Sequence, residues 1–107
     1  MCKHSEKIAS NEIGKIRHCK YCNQVEVQIG ALISYMSITR FTNLYLSLVE
    51  IKESVAIYDD ADFNEKLMIT SPIKDTYFAF TVGEIKELIF LFEEALLMFE
   101  VQRILSE

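Results

Sequence analysis

At Ser37 and again at Thr81 the hydrophobic pattern of this chain switches period, and these two switches limit its possible folds more than any other feature. Upstream of the first, Val25-Glu26-Val27-Gln28-Ile29 alternates strictly between apolar and polar, as a half-buried strand does. Gly30 interrupts the pattern, and Ala31 to Met36 reads as a second strand. Downstream, Phe41, Leu44, Tyr45, Leu48 and Ile51 recur at three- and four-residue steps, which predicts a helix from about Thr39 to Ser54. The second switch repeats the first. Lys66–Ser71 and Thr76–Thr81 read as strands around a turn containing Pro72, and a long helix is expected from about Val82 to Leu105.

Thr81-Val82-Gly83-Glu84 fits a capping box, in which the hydroxyl and the carboxylate satisfy amides that a helix start leaves without partners. A shift of 44 residues lays Met36-Ser37-Ile38 on Phe80-Thr81-Val82, Leu44 on Leu88 and Glu50 on Glu94. The chain thus reads as two strand-strand-helix units with matched N-caps, through an old duplication or through the chance likeness of two amphipathic helices. The expected fold class is α+β: an antiparallel sheet carrying two helices on one face, with an N-terminal zinc-ribbon-like hairpin extending one edge.

With 107 residues and 50% apolar content, the chain is sized for one domain spanning residues 1–107. Residues 1–24 form the hairpin part, with strands Ile8–Ser10 and Lys15–His18 around Asn11-Glu12-Ile13-Gly14, where Gly14 is able to take positive φ. Residues 25–107 form the ββαββα body, interrupted by a polar loop from Tyr58 to Glu65.

The net charge of -5 argues against broad electrostatic binding to nucleic acid or to an anionic membrane. It is unevenly spread: residues 1–24 carry +3 and the rest -8. The mild basic patch leaves a nucleic-acid contact as a minor reading. The start has no apolar core of a secretory signal, and the longest apolar run, Leu88 to Phe92, is far too short to span a bilayer, so a cytoplasmic location is expected.

In a reducing compartment three cysteines, two of them in a C-x-x-C, read as metal ligands rather than as a disulfide framework. In an extended segment residues i and i+2 share a side, so Cys2 and His4 can reach one ion. In Cys19-Lys20-Tyr21-Cys22 a tight turn can aim both sulfurs at that ion while backbone amides donate to them. Asn23 suits the left-handed residue such turns need. Three thiolates and an imidazole favour Zn²⁺ and, with all four positions filled by protein, leave no opening for an activated water. The zinc expected at Cys2, His4, Cys19 and Cys22 is therefore structural. His18 is an alternative fourth ligand, although its place beside Cys19 on a strand should turn it the other way.

A rival reading is a thiol-dependent redox protein or sensor that uses Cys19 and Cys22. Reactive pairs of this kind usually open a helix that lowers the thiol pKa, and here an alternating strand follows. Asp60-Ala61-Asp62-Phe63-Asn64 resembles the start of a calcium loop, but Glu65 replaces the required glycine and Ser71 the closing glutamate, so a solvated acidic loop is expected. No phosphate-cradling glycine loop or nucleophile elbow is present. No set of residues adds up to a catalytic site, and the chain reads as a non-enzymatic interaction module.

The last helix is predicted to carry two apolar stripes. One, with Ile85, Leu88, Ile89, Phe92, Leu96 and Phe99, should pack on the sheet. The second, with Phe90, Leu97, Met98, Val101 and Leu105, lies roughly opposite and is expected to form a homodimer or to bind an unknown protein partner.

Cys2-Lys3-His4, Gly14, Cys19-x-x-Cys22, Gly30 and the helix that follows make the chain similar to a family of short uncharacterised Bacteroidota proteins. In these a cysteine-rich start and a C-x-x-C precede a strand, a glycine and two strand-helix units. The resemblance spans most of the chain and implies this fold but no activity.

Overall fold

Four consecutive strands turn back on one another because each connection is built from residues that reverse the backbone cheaply. In the computed structural model, which describes residues 5–57, 66–70, 75 and 77–105, these are β1 (Ser5–Ser10), β2 (Gly14–Cys19), β3 (Gln24–Ile29) and β4 (Leu32–Ser37). They form one antiparallel sheet in the order β1-β2-β3-β4. Between β3 and β4, Ile29 pairs with Leu32, so the loop is Gly30-Ala31 alone, and Gly30 takes the left-handed φ of 59° that a two-residue hairpin requires at its first position. Between β1 and β2, Asn11 Oδ1 accepts hydrogen bonds from the amides of Ile13 (3.0 Å) and Gly14 (3.3 Å).

The reason for Gly14 differs from the one expected: its φ is not positive. A Cβ there would stand 2.2 Å from the carbonyl oxygen of Gln28 on the neighbouring strand, so only glycine lets β2 and β3 close. A β-bulge lies in β1 between Lys7 and Ala9, and through it both Ile8 and Ala9 are buried.

From β4 the chain enters α1 (Ile38–Ile57), where the Ser37 hydroxyl accepts from the Arg40 amide at 3.1 Å. A second hairpin, β5 (Lys66–Thr70) and β6 (Tyr77–Thr81), runs straight into α2 (Val82–Leu105). Its capping box is closed in both directions: Thr81 Oγ1 accepts from the Glu84 amide (3.1 Å), and Glu84 Oε1 accepts from the Thr81 amide (2.9 Å). The paired caps at Ser37 and Thr81 are therefore real.

Ile16, Val25, Val27 and Met36 present one face of the large sheet, and both helices cover it. Phe41 stacks on Phe92 with ring centroids 4.4 Å apart and meets Phe99 edge-on at 5.8 Å. Tyr45 donates to Glu93 at 3.3 Å; the start of α1 at Ile38 lies near Leu96 and Phe99 and its middle at Leu48 near Leu88, so the two helices run antiparallel. Asn11 Nδ2 donates to the carbonyl of Glu87 and ties the first turn to α2. The opposite sheet face is mainly polar, with Ile33 exposed on it. There Arg17 lies 4.0 Å from Glu26, and the Tyr35 hydroxyl is held above its ordinary pKa, first by its hydrogen bond to Glu26.

A single sheet was the sequence expectation; β5 and β6 instead pair with each other in a separate two-stranded sheet. β6 runs directly into α2, as β4 runs into α1, but α2 lies against β1 and β2 and β6 pairs only with β5. From there Phe80 reaches an apolar cavity of about 20 Å³ near Met36, Leu44 and Leu88. That space holds about one water and is far below the size of a ligand pocket. Among the described residues no helix is long and apolar enough to cross a membrane. The acidic segment at Asp60–Glu65 and the Pro72 turn lie outside the described residues.

Candidate metal turn and an unpartnered helix face

Cys19 ends β2 and Asn23 precedes β3, so the C-x-x-C forms the loop between two paired strands. The loop has the backbone expected of a sulfur-binding turn. The Cys22 amide donates to Cys19 Sγ at 3.4 Å, the Asn23 amide donates to the Cys19 carbonyl at 2.8 Å, and Asn23 takes φ 57°. An amide aimed at a sulfur stabilises negative charge on it. Cys19 is buried, and its sulfur is bonded to another sulfur, whereas Cys22 is a free, exposed thiol. The two cysteines of the C-x-x-C are thus not joined to each other. Cys2 and His4 lie outside the described residues, and among those that are described no three His, Cys, Asp or Glu side chains gather as a metal site.

Strand alternation turns His18 to the helix side and Cys19 to the other, as the spacing predicts. His18 is 7% exposed, its ring meets Phe99 edge-on at 5.0 Å, and its Nε2 lies 3.0 Å from Asn23 Oδ1. Nε2–H can donate to that oxygen, and the buried Nδ1 has no hydrogen-bond partner among the described residues. Asn23 therefore does two jobs: its backbone closes the cysteine turn, and its side chain links that turn through His18 to α2. The sequence shows the first through the preference of Asn for left-handed φ; the second leaves no local signal. An open cleft of about 750 Å³ separates the turn from the last turns of α2, with Lys20, Asn23, Phe99 and Leu105 in its walls.

The second candidate surface is α2 itself. Its sheet-facing stripe is buried at Ile85, Leu88, Ile89 and Phe92, with Leu96 and Phe99 partly so. On the other side Phe90 (65% exposed) and Leu97 (64% exposed) stand in solvent with Val101, Ile104 and Leu105. Met98 departs from the expected stripe, since it packs partly against the core. Ile104 replaces it, and the missed signal is the seven-residue spacing of Phe90, Leu97 and Ile104. Near the end of the helix Arg103 pairs with Glu100, and this hydrogen bond holds the Glu100 carboxyl below its ordinary pKa.

The profile of a family of unknown function (DUF6686) matches residues 1–105. No curated protein and no solved structure matches the chain.

Proposed function

The chain belongs to DUF6686, a family of unknown function, and from its geometry we propose that it is a non-enzymatic protein-interaction module, stapled by structural zinc and docking through the outer face of α2. The observation that carries the zinc half is the turn at Cys19–Asn23. Its amide-to-sulfur hydrogen bond and left-handed Asn23 are the features that prepare a C-x-x-C for a metal before the metal arrives. Cys2 and His4 would complete the set of four. His18 is the weaker fourth ligand, since its ring is engaged by Asn23 and Phe99 on the opposite face.

A sulfur-sulfur bond at Cys19 and a thiolate ligand at Cys19 are alternative states of the same atom, so reduction decides between them. Protein purified under reducing conditions is expected to hold about one zinc per chain, and Cys22→Ser to lose it. A strong chelator then lowers the melting temperature. Reduced, metal-free protein with an unchanged melting temperature would sink the zinc reading. His4→Ala and His18→Ala, compared for zinc retention, identify the fourth ligand. The redox alternative requires Cys19 and Cys22 to form a disulfide with each other. It has less support, because Cys22 is free and the turn leads into β3 rather than into a helix that would lower a thiol pKa.

A further inference from the structure

The exposed face of α2 has the spacing of a helix-pairing seam, with Phe90, Leu97 and Ile104 seven residues apart and Glu94 and Val101 between them. Its charge is mainly acidic: from residue 86 to residue 103 the helix carries Glu87, Glu93, Glu94 and Glu100 against Lys86 and Arg103, with Arg103 paired to Glu100, so Glu94 is the charge that stands within the seam itself.

This charge pattern bears directly on what can cover the face. Two copies of α2 side by side and antiparallel, related by a two-fold axis near Leu97, set Glu93 of one against Glu100 of the other. Two parallel copies set Glu94 against Glu94 inside the seam. Either arrangement puts like charges together where water is being excluded, and such pairs oppose association. A helix that brings its own cations meets no such cost.

We propose that the outer face of α2 docks a basic amphipathic helix of a partner protein, whose apolar side packs on Phe90, Leu97, Val101 and Ile104 and whose Lys or Arg side chains face Glu94 and the flanking glutamates. This rests on the docking half of the function proposed above and is independent of the zinc half.

The test uses a short synthetic peptide of leucine and lysine with an amphipathic helical pattern. One control has the same composition in scrambled order, and another has glutamate in place of lysine. Binding to the full-length protein is read by fluorescence anisotropy at low and raised salt. The patterned basic peptide should bind at least about ten-fold more tightly than either control and weaken as salt rises. Leu97→Ser should weaken it about ten-fold, and Glu94→Gln about three-fold with a shallower salt dependence. Zinc content and melting temperature of both variants should match the parent protein, which separates failure of this proposal from failure of the zinc staple. Equal affinity for the scrambled peptide would overturn the proposal. So would a dimer in sedimentation that Glu94→Gln tightens and the peptide does not dissociate, an outcome that would assign the face to a second copy.

Discussion

α1 and α2 begin with equivalent caps, lie antiparallel on one sheet and share a ring stack, yet they use their surfaces differently. α1 turns Phe41 and Leu48 inward and exposes mostly polar residues such as Asn43, Ser47 and Glu50, with Leu46 as an exception. Folding satisfies it. α2 buries a longer apolar face and still leaves Phe90, Leu97, Val101, Ile104 and Leu105 in water. A helix apolar on both sides is half-satisfied in a single small domain, and its second side is the surface on which the docking proposal rests.

The sharpest way to break this comparison lies within α2. Phe92→Ala removes a fully buried ring from the stack with Phe41 and is expected to cost about 3–5 kcal/mol in a denaturant melt. Phe90→Ala, two residues away, should stay within about 0.5 kcal/mol. Equal losses would mean that both faces serve folding. On α1 the corresponding pair is Leu48→Ala, expected to cost about 2–5 kcal/mol, against a near-neutral Leu46→Ala.

The caps offer a finer comparison. Ser37→Ala and Thr81→Ala should each cost about 1 kcal/mol by thermal unfolding. Thr81→Ala is expected to be the larger, because it also leaves Glu84 holding only one side of a reciprocal box, whereas Arg40 gives nothing back to Ser37.

The smallest effects are electrostatic. Partial burial, and then the nearby Glu93 carboxylate, raise the Tyr45 pKa, so the folded state favours the neutral phenol. The stabilisation is complete below the ordinary tyrosine pKa and is lost as pH rises through the folded value. Tyr45→Phe should flatten the alkaline limb of a melting-temperature profile. Glu100 has the opposite sign: its pKa is lowered by Arg103, so its small contribution is present above the ordinary glutamate value and fades as pH falls through the folded one. Arg103→Gln should move the Glu100 titration upward, as read by NMR.

Local chemistry made much of this fold legible. The capping box, the alternation of β3, the period of both helices and the conformation of Asn23 each depend on a few neighbouring residues, and each is found where the sequence places it. Long-range features were less visible. β5 and β6 pair with each other apart from the main sheet, a choice of strand partner that no local pattern encodes. The need for glycine at position 14 arises from the Gln28 carbonyl on another strand, and the buried link from Asn23 through His18 to Phe99 joins residues far apart in the chain. Of the candidate site, the amide bond to Cys19 Sγ and the left-handed Asn23 were legible in the C-x-x-C spacing, whereas the exposure of Cys22 was not. The exposed stripe was readable except for Met98, whose partial burial depends on how far α2 rolls on the sheet.

The bulge in β1 bears on the company the molecule keeps. β1 is an outer strand of its sheet, and a flat outer strand is a template on which other chains can add. Placing one extra residue opposite Ile16 kinks that border and puts its amides and carbonyls out of step with any straight strand approaching it. The insertion that lets Ile8 and Ala9 both reach the interior also makes this border a poor place for polymer growth.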